Sequence, residues 1–317
     1  MASVSDAKIA SMLTDMLSGD NMCRKRAEAD WGTIVHLPGI PGTLLRSVRE
    51  TGGGPIASMA VVLLKNNITS FDRAEAVREL VGDDSGSPVL QLLLDCNDAQ
   101  LAKLVAGLVV RIASLRDGPW EQLYRCLDTM IQRDPTAQGG TSQIVNALQT
   151  LSELAASLSS DVLDVYSSLA PHILPVALNP KSVSTSAAAS PASSGTPTTK
   201  DLNVDFISTH AYSPNCQRLA LRVLAEMCLV LGVGESCQSE LARSCCGALQ
   251  DVTSIGCLPL TDDAVVNGIP HEAMKLASVV ANFAPTQLDV PMLQSLLAAL
   301  AANSNQFTAI MEAATDA

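Results

Sequence analysis

Ser18-Gly19-Asp20-Asn21-Met22-Cys23-Arg24-Lys25-Arg26-Ala27-Glu28-Ala29-Asp30-Trp31, preceded by the apolar segment 9–17, decides how this chain folds. Ile9, Met12, Leu13 and Met16 recur at i, i+3, i+4 and i+7, one face of a helix, and Ala27, Trp31, Ile34 and Val35 repeat the pattern after a break. The break holds Ser18, Asp20 and Asn21, whose side chains accept hydrogen bonds from the orphan amides of a helix start. Two amphipathic helices therefore meet across a tight turn. Such a pair cannot bury its apolar stripe alone and needs neighbours of the same kind.

The chain supplies them. Pro38, Gly39, Pro41 and Gly42 form a compact breaker, and Leu44, Leu45 and Val48 then predict a short helix ending at Gly52-Gly53-Gly54-Pro55. Pro55 suits the first turn of the next helix, where Ile56, Met59, Ala60, Leu63 and Leu64 follow helical spacing. A third pair opens near Asp72 with Ala76, Val77, Leu80 and Val81, breaks at 82–87, and resumes over 88–94. Its partner runs over about 98–115 with Leu101, Leu104, Val105, Leu108, Val109 and Ile112 on one stripe. After the stop Asp117-Gly118-Pro119, a fourth pair is marked by Trp120, Leu123, Tyr124, Leu127 and Ile131, then by Ile144, Leu148, Leu151, Ala155 and Leu158. Asp161 is a candidate N-cap for a fifth, with Leu163, Tyr166, Leu169 and Ile173.

First helices thus begin near residues 7, 42, 73, 119 and 161, intervals in or near the range of roughly 30 to 47 residues expected of helical repeats. The expected fold is all-α: an α-solenoid of about seven HEAT-type helix pairs in a right-handed superhelical stack. Repeats fill residues 1–178. Residues 179–200, nearly all Ser, Thr, Ala and Pro, read as a disordered loop, and 201–317 hold further HEAT-like helices. Leu221, Leu224, Ala225, Cys228 and Leu231 mark one of these, and others are expected at about 235–253, 262–283, 285–301 and 303–314.

Composition agrees. Aromatics make up 3% of 317 residues while hydrophobic residues reach 47%, mostly Ala, Leu and Val, which suits helices packed closely on small side chains. A net charge of -12 argues against a general nucleic-acid binder, because no excess of Lys and Arg exists to release counterions from phosphates. Nine cysteines without a secretory signal read as buried, reduced thiols of a cytosolic or nuclear protein. The apolar runs 101–112 and 219–233 carry Lys103 and Arg222 with Glu226 and fall short of the roughly 20 residues of a membrane span, so no membrane insertion is expected.

No constellation of catalytic, metal-binding or cofactor-binding residues emerges. His36, His172, His210 and His271 are scattered, and Cys237, Cys245, Cys246 and Cys257 contain no C-x2-C pair. Gly52-Gly53-Gly54 lacks the Lys-Ser/Thr and preceding strand of a phosphate loop, and Gly232-Val233-Gly234 lacks the third glycine of a dinucleotide fingerprint. Trp31 and Trp120 are expected in the core, and Arg24-Lys25-Arg26 on a solvated helix face.

Ser-Gly-Asp-Asn-x-x-Arg-Lys-x-Ala-Glu at 18–28 resembles the first HEAT repeat of the importin-beta (karyopherin-beta) superfamily, with Gly19 in place of a frequent proline. Ala60-Val61-Val62-Leu63-Leu64-Lys65-Asn66-Asn67-Ile68-Thr69-Ser70 is similar to the close of that family's second repeat, and Pro119-Trp120 with Leu123 to the opening of a later one. The region around Tyr166 and Gln217-Arg218-Leu219-Ala220-Leu221 look like the importin-5 branch. The resemblance implies nuclear transport of protein cargo. It implies binding of the GTPase Ran through inner helices and of FG nucleoporins in grooves between outer helices, in a protein moving between cytoplasm and nucleus through the pore. In relatives the basic end of the second repeat's inner helix contacts Ran; that position holds Lys65 and Asn66 here, and Arg24 is a further candidate. Relatives are much longer, so a truncated paralogue, a fragment or a small adaptor is expected. The alternative is a HEAT scaffold in a protein complex without Ran binding; an enzyme is the least expected reading.

Overall fold

The computed structural model describes residues 5–82, 86–116, 120–155, 163–178 and 212–231, with a few more between 268 and 279. Among the described residues the chain is helical and forms no strand. The helices are α1 (Asp6–Met16), α2 (Asn21–Ile34), α3 (Ile40–Thr51), α4 (Gly54–Asn67), α5 (Arg73–Leu80), α6 (Pro88–Asp95), α7 (Ala99–Leu115), α8 (Glu121–Ile131), α9 (Gly140–Ala155), α10 (Leu163–Leu178) and α11 (Pro214–Leu231). They divide between two compact units, one comprising Met1–Arg133 with Ser142–Leu158, the other Asp134–Thr141 with Ser159–Ala317.

In the first unit α1, α3, α6 and α8 pack in series as one layer, while α4 lies against α3 and α7 in a second layer, and α2 covers α1. The reason is the helical stripe. Ile9, Leu13, Ile40, Leu44, Leu64, Leu80, Leu93, Leu101, Leu108, Leu123 and Leu127 are sealed from solvent. Each such side chain contributes about 1.5–3 kcal/mol by leaving water. The expected tryptophans are both buried, Trp31 on α2 and Trp120 just ahead of α8. In the second unit α10 packs on α11.

Caps set the boundaries. The Asp20 carboxylate accepts the Met22 amide at 2.8 Å to start α2, and Asp98 accepts those of Gln100 and Leu101, both at 2.9 Å, to start α7. Gly52 ends α3 with φ 64°, a left-handed conformation that a β-carbon would strain. Polar side chains then tie successive pairs together. The buried amide of Asn146 on α9 donates to Leu93 O at 3.1 Å and Cys96 O at 2.9 Å, filling carbonyls left open at the end of α6. In the second unit Gln217 does the same for Ala177 O at 3.0 Å.

Three local expectations need correction. Pro41 and Gly42 do not lie in a breaker: α3 begins at Ile40, because proline is tolerated in a first turn where its missing N–H has no helical partner. On α4 the buried face is Ala57, Ala60, Val61 and Leu64, one residue round from the expected stripe, and Ile56, Met59 and Leu63 are half-buried. The alanines let α4 approach its neighbours closely and leave the larger side chains on the flanks. Cys23 is exposed rather than buried, while Cys96 and Cys216 are buried and all four described cysteines are free thiols. Asp117-Gly118-Pro119, Leu158, Asp161, the 179–200 segment, and the helices expected at 235–253, 285–301 and 303–314 lie outside the described residues.

Candidate protein-interaction site

The last turn of α4 changes from apolar to polar at Lys65-Asn66-Asn67, and each residue there has separate work. Asn67 Nδ2 donates to Leu63 O at 2.9 Å, supplying a partner at the helix end. Asn66 is exposed. Lys65, a cation at a helix C-terminus and so favoured by the helix dipole, does not project straight outward. Its chain crosses α7 at Gly107, and its ammonium stands 2.9 Å from the point where a β-carbon on residue 107 would be. A Glu153 carboxylate oxygen, from α9, lies 3.3 Å from that same point. The other Glu153 oxygen accepts Gln149 Nε2 at 3.0 Å, which orients the carboxylate.

Three successive pairs, represented by α4, α7 and α9, thus meet at one polar spot. Arg24 is not part of it. It sits in the first turn of α2, exposed, and its guanidinium donates to Asn21 Oδ1 at 2.8 Å. Gly107 and Glu153 escaped the sequence reading, although one signal was present. Glycine inside an apolar helix costs roughly 1 kcal/mol relative to alanine, so its presence marks a close approach.

The opposite layer carries a groove. Val48, Arg49 and Gly52 of the α3 end face Gln91, Leu92, Asp95 and Cys96 of the α6 end, with Leu101 behind, around a space of about 430 Å³. The floor is apolar, and the rim is held by Arg49 donating to Pro88 O at 2.8 Å and by the Gln91 amide donating to both Asp95 oxygens at 3.0 and 2.9 Å. Burial pushes the Cys96 thiol pKa up, so this sulfur behaves as part of the floor. A second recess of about 330 Å³ lies between the starts of α1 and α3, lined by Asp6, Thr43, Arg46 and Glu79. Its charges are already matched: Arg46 donates to Asp6 at 2.9 Å and lowers the carboxyl pKa, and Glu79 accepts the Gly42 amide at 2.8 Å.

Among the described residues no cluster of three His, Cys, Asp or Glu is placed to hold a metal ion, and no helix is long and apolar enough to cross a membrane. His36 is exposed and bonds Ser70 O at 3.1 Å.

No family profile matches the sequence, and no curated protein matches it. Solved structures do. Yeast importin-beta (Kap95p) superposes on 93% of this chain with a TM-score of 0.57 at 17% identity. Lph2, a bidirectional nuclear transport receptor of S. cerevisiae, superposes on 88% with a TM-score of 0.59 at 15% identity. The fold is a HEAT-type α-solenoid. At such identities the likeness is one of architecture, and this solenoid spans 31% and 26% of the lengths of those two receptors. In solenoid terms, the Lys65 spot lies on the row of second helices and the groove on the row of first helices.

Proposed function

We propose that this chain is a nuclear transport receptor-like HEAT protein of the importin-beta superfamily, of the importin-5 branch. In this reading it binds Ran GTPase through Lys65 and Asn66, with Arg24 adding long-range attraction, and takes FG nucleoporins into the α3–α6 groove. It accompanies protein cargo between cytoplasm and nucleus through the pore. Residues 1–178 form the binding array, 179–200 a loop, and 201–317 its continuation. Support comes chiefly from the architecture shared with Kap95p and Lph2 over most of this chain. Lys65 presented on the second-helix row and an apolar-floored groove on the first-helix row fit the reading. No step calls for a catalytic group or cofactor: recognition is burial plus charge complementarity, with one partner's binding energy set against another's.

The test is capture of GTP-loaded Ran by the full chain at low ionic strength, where exposed ion pairs are least screened. Capture is expected, and Lys65→Asp is expected to weaken it about tenfold. Absence of capture, with Lys65→Asp indistinguishable from the parent, overturns the reading and leaves an adaptor that holds another protein complex together.

A further inference from the structure

Position 107 is the middle of a row. Lys103, Gly107 and Arg111 follow one another at i, i+4 and i+8 along α7, so their side-chain positions climb one face, a turn apart, at about 6 Å. Lys103 and Arg111 are exposed, and neither side chain makes an ion pair or hydrogen bond among the described residues. Glycine leaves the central position empty, and the Lys65 ammonium fills it, 2.9 Å from where the missing β-carbon would stand. A cation from one helix pair has thereby been set between two cations of the next. The Glu153 carboxylate is pointed at the same place from α9 and oriented by Gln149. In a chain of net charge -12, three cations on one row run against the overall balance.

We propose that Lys103, Lys65 and Arg111 form a docking strip for an acidic protein segment whose carboxylates repeat at about one helical turn, and that Glu153 is its built-in competitor. Gly107 makes the strip by admitting Lys65; Glu153, whose carboxylate approaches the same point from α9, sets the threshold by competing with a partner carboxylate for the central cation. Weakly acidic segments are turned away, and segments presenting several carboxylates in register are retained. The strip shares Lys65 with the GTPase contact proposed above, yet it does not depend on the partner being a GTPase.

A fluorescent oligoglutamate peptide titrated into the full chain at low ionic strength, followed by anisotropy, tests this. The parent is expected to bind, K103E/R111E to lose at least about tenfold, and E153Q to gain about threefold, in line with the few-fold value of single exposed ion pairs. Gly107→Ala displaces the Lys65 tip while favouring the helix, so it is expected to weaken the peptide about threefold with no fall in thermal stability. K25E/R26E on α2, the same charge change elsewhere, is expected to leave binding within twofold. Equal losses in K25E/R26E and K103E/R111E, an unchanged E153Q, or a single-stranded oligonucleotide binding as tightly as the peptide each overturn the proposal. Ran capture measured on the same variants separates the two readings: peptide binding without Ran capture removes the GTPase assignment and leaves the strip standing.

Discussion

At the scale of single residues, burial decides which thiols react. Burial raises the Cys126 pKa from 9.0 to about 11, whereas Cys23 is exposed and gives its S–H to Asp20 Oδ2 at 3.2 Å, which also raises its pKa. Alkylation at pH 8 followed by mass spectrometry is expected to mark Cys23 ahead of Cys126, Cys96 and Cys216, though more slowly than a free thiol. The sign of the stability effect follows from proton binding. The folded state holds the Cys126 proton more tightly than the unfolded chain, so this contribution is intact below pH 9 and is lost as pH rises toward about 11. Denaturation midpoints measured at pH 8 and 10.5 are expected to fall with pH, and less so in Cys126→Ala. Asn146 belongs to the same scale. Its buried amide serves two carbonyls, and Asn146→Ala is expected to cost about 1–3 kcal/mol in urea denaturation, because Leu93 O and Cys96 O lose a partner where water has poor access.

At the scale of the element, helix starts and stripes were legible from the sequence because their causes are local. Ile9, Met12, Leu13 and Met16 bury together as their spacing requires, and α1, α3, α5, α8 and α10 begin within a few residues of where turn chemistry placed them. Pro41 misled because a proline reads as a stop from sequence and as a start once it sits in a first turn. The Lys65–Gly107–Glu153 arrangement was not legible. Its members come from α4, α7 and α9, and no local pattern records which side chain of one repeat will cross a gap in another. Asp98 offers a clean test of the cap argument, since it serves two amides by itself. Asp98→Ala is expected to lower stability by about 1 kcal/mol, and Asp98→Asn or Asp98→Ser to recover most of it, as read by thermal unfolding.

At the scale of the whole molecule, the proposed Ran contact and the proposed FG groove lie on different rows of helices, so a change at one is separable from a change at the other. The groove between α3 and α6 has an apolar floor suited to an aromatic side chain, and Gln91 stands exposed on its rim. Gln91→Trp is expected to fill the groove from above and reduce binding of an FG-repeat peptide several-fold in a fluorescence titration while leaving Ran capture unchanged. Loss of both together would mean that the substitution disturbs the stack rather than the groove.

The reach of Asn146 across 50 residues to Cys96 also imposes an order of events on a growing polypeptide. Until α9 has emerged from the ribosome, the far end of α6 keeps its carbonyls hydrated. The third helix pair is therefore closed by the arrival of the fourth, and synthesis runs ahead of the dry core by one full unit.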